Sequence, residues 1–216
     1  MGKKFEMTDL GRLSYYLWIE VNQQGSYIEL KQSGYVTKLL EKSGMIECNP
    51  TLYPIDPKEE ITRDESGRTV DATKYRSIVG GLYYLVNTRP DIGFSVGIVS
   101  RYMERPTILH MNAVKRILRY VKRTVQYGLI YARNSGNNVA TGFSDNDLGG
   151  MSNDRRSTSG FVYYLNDSLI SWVSQKQRVV ALSSCEAEFM AATAAACQGI
   201  SVRNVMGKSQ ENPLVR

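Results

Sequence analysis

From Leu13 to Val21 (LSYYLWIEV) aromatic and β-branched residues dominate, which is the pattern of a strand. Asn22-Gln23-Gln24-Gly25 supplies turn chemistry, and Ser26-Tyr27-Ile28-Glu29-Leu30 returns as the second arm of a hairpin. The spacing then changes. Tyr35, Val36, Leu39 and Leu40 recur at helical intervals, and Gly44 ends that short helix. Pro50, Pro54 and Pro57, with the acidic stretch from Lys58 to Asp71, predict a solvated linker. Within it Asp64-Glu65-Ser66-Gly67 reads as a turn, with too few oxygen ligands for a metal loop.

Helical periodicity resumes with Tyr75, Ile78, Val79, Leu82, Leu85 and Val86 and breaks at Thr88-Arg89-Pro90-Asp91. Pro90, suited to a first helical position, opens a second helix carrying Ile92, Val96, Val99 and Met103, which Pro106 closes. A third helix is expected from about Asn112 to Gln126, with Gly128 after its end. On a helical projection Val114, Ile117, Leu118, Val121 and Val125 fall within an arc of roughly 100°. Lys115, Arg116, Arg119, Lys122 and Arg123 occupy the other side. One face packs, and the other is a cationic ridge with no acids to pair with.

In the last third, Val139 to Ser144 reads as a strand ending at Asp145, Thr158 to Leu165 as a second and Leu169 to Val173 as a third. Ser183 caps a following helix, and Glu186 three residues later completes a capping box. That helix runs to Gly207. Ala191, Ala192, Ala194, Ala195 and Ala196 give it a slim profile that can sit close to a sheet.

Composition adds limits. A chain of 216 residues can hold one or two domains with a real core. No apolar run approaches the ~18–20 residues that span a bilayer, and the start lacks the apolar core of a signal peptide, so an intracellular protein with no membrane partner is expected. Cys48, Cys185 and Cys197 are odd in number and lack C-x-x-C spacing, which predicts buried free thiols. The lone His110 excludes a histidine-based zinc site within one chain. The net charge of +6 favours polyanions. It is unevenly spread. Asp56 to Asp71 is acidic, whereas Arg101 to Arg133 contains Glu104 as its only acid. The ridge residues are therefore candidates for phosphate-backbone contact that is strong in low salt and unspecific in sequence. Arg116-Ile117-Leu118-Arg119 also matches the R-x-L-R pattern of secreted pathogen effectors. Four letters recur by chance, and Ile117 and Leu118 belong to the packing face.

The segments VATGFSDNDLGG and DRRSTSGFVYYLNDSLISWVSQKQRVVALSSCEAEFMAA resemble the ribonuclease H domain of copia-type retrotransposon polyproteins. FEMTDLGRLSYYLWIEV resembles the end of the reverse transcriptase domain of the same polyprotein, although family members usually carry a glycine where Trp18 stands. The stretch from Tyr75 to Leu129 resembles the connection between the two catalytic domains. The resemblance implies an α+β chain: an N-terminal β-hairpin and helix, a helical tether, and an incomplete ribonuclease H-like three-stranded antiparallel sheet plus helix. The expected divisions are 1–55 for the reverse transcriptase remnant, 56–72 for the acidic linker, 73–135 for the connection and 136–216 for the ribonuclease H-like part.

The family chemistry uses two divalent metals, usually magnesium, held by four carboxylates. By resemblance Asp145 matches the first acid and Glu188 the helix acid, the pair expected both as catalytic remnants and as metal ligands. Glu186, two residues from Glu188, points to another face and serves as a cap. Asp147 also lies in the family motif, while Leu148-Gly149-Gly150 departs from the usual Trp-Ala-Gly-Asp. The polymerase aspartates and two of the four nuclease acids have no counterpart in these residues. The expectation is a Pol-derived chain, inactive alone, that binds RNA–DNA hybrid or duplex non-specifically. The rival expectation is a ribonuclease completed by acids from a partner chain, such as the remaining Pol segments.

Overall fold

The computed structural model describes residues 11–56, 61–133, 138–147 and 155–211, the last four by their backbone only. Two antiparallel sheets flank a helical core, an α+β architecture. The first sheet has the order β1 (Tyr15–Tyr16), β2 (Ile19–Gln23), β3 (Tyr27–Lys31), β4 (Gly128–Ala132). The second has the order β5 (Ala140–Asp147), β6 (Thr158–Leu165), β7 (Ser168–Lys176). The helices are α1 (Ser33–Ser43), α2 (Ala72–Leu85), α3 (Gly93–Val99), α4 (Ile108–Arg123) and α5 (Ser184–Glu211).

The strand expected over Leu13 to Val21 is broken in two. Leu17 and Trp18 take φ of 46° and 65°, and Tyr16 pairs with Ile19 across them. Two consecutive left-handed residues between paired strands make a tight hairpin turn. Glycine enters that conformation without strain. Trp18 is held there by its surroundings. Its ring lies 6.3 Å from the rings of Tyr15 and Tyr35, and the Lys38 ammonium sits 4.3 Å from its centroid.

Helices α1 to α4 share one core. Val36, Leu40, Ile61, Tyr75, Leu82, Leu85, Val99, Val114 and Leu118 are essentially solvent-free. Within the stretch expected as a linker, Ile61 is 1% exposed and the Thr62 carbonyl accepts from His110 Nε2 at 2.8 Å, while Arg63, Glu65, Ser66, Arg68 and Thr69 are exposed. Lys58 to Glu60 lie outside the described residues. The expected turn does form, with Gly67 N donating to Asp64 O at 3.1 Å.

α4 begins four residues earlier than its apolar period indicated. Thr107 N donates to His110 Nδ1 at 2.9 Å, so a buried histidine closes the first turn in place of the usual Glu or Gln. The bend between α2 and α3 is tied to the end of α4 by Arg89. Its guanidinium, almost wholly buried, grips Asp91 through Nε and Nη2 at 2.9 and 2.8 Å and donates to the Thr124 carbonyl at 2.8 Å.

Strand β4 was not anticipated. Gly128 is needed where it starts, because a Cβ there would stand 2.3 Å from Leu30 O on β3. The free thiols also differ from expectation: Cys185 and Cys197 on α5 are exposed and Cys48 is half-buried. Among the described residues no helix is long and apolar enough to cross a membrane.

Candidate nucleic-acid interface and acidic site

The ridge on α4 is real as a helix face but is not free of partners. Arg116 pairs with Asp56 at 3.1 Å, Arg119 Nε donates to the Asn49 carbonyl at 2.6 Å, and Lys122 Nζ donates to the Cys48 carbonyl at 2.8 Å. The chain from Cys48 to Asp56 therefore lies along the ridge as a strap. This corrects the expectation of unpaired cations: the acid is 60 positions away in sequence and next door in space. Lys115 and Arg123 remain exposed.

A second cationic cluster is assembled by the fold alone. Arg63, Arg101 and Arg105, with Glu65, Tyr102 and Glu104, line a cavity of about 220 Å³. Arg101 Nη2 donates to Thr158 Oγ1 at 2.7 Å, joining the helical core to the first residue of β6. Thr158 pairs with Lys176 on β7 and with Asp147 on β5. Arg155 and Arg178 flank that row and are exposed. Among the described residues Arg63, Arg155 and Arg178 have neither an ion pair nor a hydrogen bond. No sequence period links positions 63, 101, 155 and 178, so only the tertiary structure makes the cluster visible.

The two acids carried over from the family motif lie on different elements. Directly opposed residues of antiparallel strands share a face. Tyr163 donates to the Ala195 carbonyl at 2.7 Å, and Gln177 Nε2 bridges Ser159 Oγ at 2.8 Å and the Ala187 carbonyl at 2.9 Å, so Ser159 and Tyr163 face α5. Their β5 partners, Asn146 and Gly142, share that face. Asp145 is opposite Gly160, on the alternate face, together with Phe143 and Trp172. There it opens onto a cleft of about 680 Å³ between the sheet and α2–α3, walled by Tyr83, Phe94, Phe143 and Trp172. Trp172 Nε1 reaches the Val86 carbonyl at 3.2 Å across it. One Asp145 oxygen accepts from Asn146 N at 2.8 Å.

Glu188 is exposed on α5, one residue past the buried Ala187, on the helix that covers the other face. Glu186 acts at the cap: its Oε2 accepts from Leu182 N at 2.6 Å, and its own N–H donates to Ser183 Oγ at 3.2 Å. The sheet separates the faces on which Asp145 and α5 lie. Among the described residues no group of three or more His, Cys, Asp or Glu side chains could hold a metal ion. Leu148 to Gly150 lie outside the described residues, as does Asp154.

Residues 1–57 match the family described as reverse transcriptase (RNA-dependent DNA polymerase). Over 191 residues the chain is 39% identical to the uncharacterized mitochondrial protein AtMg00810 of Arabidopsis thaliana, covering 88% of this chain and 79% of that protein. It is 37% identical over 190 residues to the retrovirus-related Pol polyprotein from transposon RE1 of Arabidopsis thaliana, covering 88% of this chain. The chain belongs to the copia-type retrotransposon Pol family. This copia-type chain spans only 13% of the RE1 polyprotein, so the polyprotein's activities do not pass to it by the match alone. It is also 45% identical over 127 residues, 58% of its length, to the secreted RxLR effector protein 161 of Plasmopara viticola, of which it covers 89%. No solved structure gives a significant match.

Reverse transcriptase relatives generally use divalent metal ions. The residues described here do not fit a two-metal centre, which needs several carboxylates converging on one point. Magnesium asks for near-ideal octahedral oxygen coordination, and an exposed Asp145 on one face with Glu188 on the helix of the other does not provide it.

Proposed function

We propose that this copia-type Pol chain is a nucleic-acid-binding module. In this reading residues 136–216 form a ribonuclease H-like unit that does not hydrolyse RNA–DNA hybrid on its own. The order of strand, strand, strand, helix supports the likeness, with Asp145 on the first strand and Glu188 on the helix. The observation that carries the inactivity is the β5–β6 register, which sets Asp145 opposite Gly160 on the face turned from α5. In-line hydrolysis without a metal pair loses the activated water or the clamp on the leaving oxygen. Loss of one such electrostatic contribution commonly lowers the rate by ~10²–10³. The test is a cleavage assay of the 216-residue protein on an RNA–DNA hybrid in magnesium and in manganese. No cleavage is expected, and Asp145→Asn should leave any background unchanged. Cleavage lost in both Asp145→Asn and Glu188→Gln would overturn the proposal.

A second reading has a partner chain supply the missing acids. It is favoured by one observation: among the described residues β5 is paired on one edge only, with Phe143 and Val139 exposed. Mixing the chain with separately expressed downstream Pol segments tests it, hybrid cleavage being the readout. The effector reading has less support here. Ile117 and Leu118 of the R-x-L-R match are each 1% exposed in α4, and both arginines bond to the strap.

A further inference from the structure

We infer that the phosphate backbone of a nucleic-acid duplex runs across the Arg63–Arg101–Arg105 cavity and on to Arg155 and Arg178 at the end of the β5–β7 sheet. The α4 ridge is not its main track. The inference rests on the nucleic-acid reading above and assigns that reading its surface.

Three observations carry it. First, the cluster is a single surface. Arg101 belongs to the cavity and also donates to Thr158 Oγ1 at 2.7 Å, and the Gln177 N–H bond to Ser157 O at 2.8 Å holds Arg178 close to the same row. Second, its cations are available. Arg63, Arg155 and Arg178 lack partners among the described residues, and Arg105 makes one bond, to the Glu65 carbonyl at 3.2 Å. On α4 three of five cations are already spent on the strap. A cation released from an internal partner gains less from a phosphate than one released from water. Third, the residue type fits. The five cations named are all arginine, whose planar fork matches two phosphate oxygens, and the cavity of about 220 Å³, where three of them meet Glu65, Tyr102 and Glu104, is small and concave enough for a single phosphate group. Glu65 and Glu104 share the cavity lining with its three arginines, and Asp147 lies on the neighbouring strand row. Arg63, Arg155 and Arg178 are the cations of the cluster that face outward without a partner among the described residues.

The experiment measures binding of a fluorescent 20-base-pair RNA–DNA hybrid by anisotropy from 50 to 200 mM salt. It compares wild type, an Arg63→Gln/Arg155→Gln/Arg178→Gln variant and a Lys115→Gln/Arg123→Gln variant. Each phosphate contact contributes ~0.9 to the slope of log affinity against log salt. The triple variant should lose about 2 to 3 from that slope. Affinity at 50 mM should fall by at least about tenfold, while the α4 variant should keep the wild-type slope. The three arginines are exposed and unbonded, so circular dichroism should show unchanged unfolding. The single Arg63→Gln and Arg155→Gln variants, each losing ~0.9, provide an independent reading. A triple variant with wild-type slope, or an α4 variant that alone flattens it, overturns the assigned surface and leaves the nucleic-acid reading standing. A wild type that shows no salt-dependent binding fails the underlying reading instead. A wild type that binds poly-glutamate more tightly than hybrid of equal charge overturns the choice of ligand.

Discussion

The helical half of the molecule and the β5–β7–α5 half are held together by different side chains. In α1 to α4, leucine, isoleucine, valine and tyrosine interlock with almost no exposure. Among the described residues of the other half the buried apolar set is Phe161, Ala187, Ala191, Ala195 and Val202, and nearly every residue of β5 is exposed. A buried leucine is worth ~1.5–3 kcal/mol, whereas an alanine contributes about one methyl group, ~0.8 kcal/mol. The slim helix thus gains close approach to the sheet at the cost of burial. Phe189, Ile200 and Val205 on the same helix stay exposed, at 76%, 52% and 65%. A helix apolar on several sides is the kind that other elements usually cover. The lesson is that one half carries its own stability and the other depends more on its neighbours.

The two tryptophans lie in different halves, so variants retaining one at a time can report on each. In denaturant the Trp172 signal should change before the Trp18 signal, and amides of Ala140–Asp147 should exchange faster than those of α2 and α4. Leu82→Ala, at a site with no exposure, should lower the stability of the helical half by about 2–5 kcal/mol. The Trp172 transition should move far less. Coincident transitions, moving together in Leu82→Ala, would break the comparison and make the molecule a single cooperative unit.

A smaller effect sharpens the account of how α5 sits on the sheet. Tyr163 occupies space that only glycine leaves open: a Cβ on Gly142 would stand 2.4 Å from its ring, and one on Gly199 would stand 2.7 Å from its hydroxyl. Gly142→Val and Gly199→Val should each cost about 1–3 kcal/mol by overpacking. Combining either with Tyr163→Ala should restore part of that loss. If the double variants are no better than the glycine substitutions alone, Tyr163 is not the obstacle.

These contrasts were unequally legible in the sequence. Helical periods located α1, α2 and the middle of the Pro90–Met103 helix, which is α-helical only over Gly93–Val99, and the strand read from Thr158 to Leu165 matches β6 at both bounds, because these are local signals. The hairpin turn at Leu17-Trp18 was hidden because no glycine marks it. The start of α4 was hidden because its cap uses a histidine. β4 was hidden because Gly128 reads only as the stop after a helix ending at Gln126, and the residues after it carry no predicted element. The ridge cations were easy to find, since one helix carries them all. Their partners Asp56, Asn49 and Cys48 were not, because strap and helix meet only in the fold. The faces of Asp145 and α5 likewise depend on cross-strand register and on which side α5 lands, neither of which motif spacing contains.

At high pH the helical half should lose stability through Tyr120. Burial, followed by the hydrogen bond to Asp91, raises its pKa from 10.0 to about 12. The unfolded chain releases this proton near pH 10 and the folded chain does so only near pH 12. Folding therefore retains a proton in that window, and stability falls as pH rises through it. The contribution is fully present below pH 10. Tyr120→Phe should show a shallower fall over the same range in urea titrations. An equal or steeper fall in the variant would assign the alkaline loss to other groups.

The smallest effect expected is at the ridge itself, and it separates the two basic regions most directly. The Arg116–Asp56 pair spans 3.1 Å with both side chains about one-third exposed, 30% and 33%. Ion pairs so accessible to water contribute about 0.2–1 kcal/mol, because solvent screens them and two long side chains lose freedom. Arg116→Gln should therefore cost less than about 1 kcal/mol, and Asp56→Asn the same. The double variant should be no worse than Asp56→Asn alone, since that substitution already removes the pair. Hybrid binding should keep its wild-type salt slope in Arg116→Gln, because the guanidinium is held by the strap and makes no phosphate contact to lose. Asp56→Asn is the more searching variant, since it frees Arg116 without removing it. If Asp56→Asn steepens the salt slope by about 0.9, the strap masks a contact that the ridge can make once released. If the slope is unchanged, α4 is a packing helix whose cations hold the strap, and the sheet-end arginines alone face the polyanion.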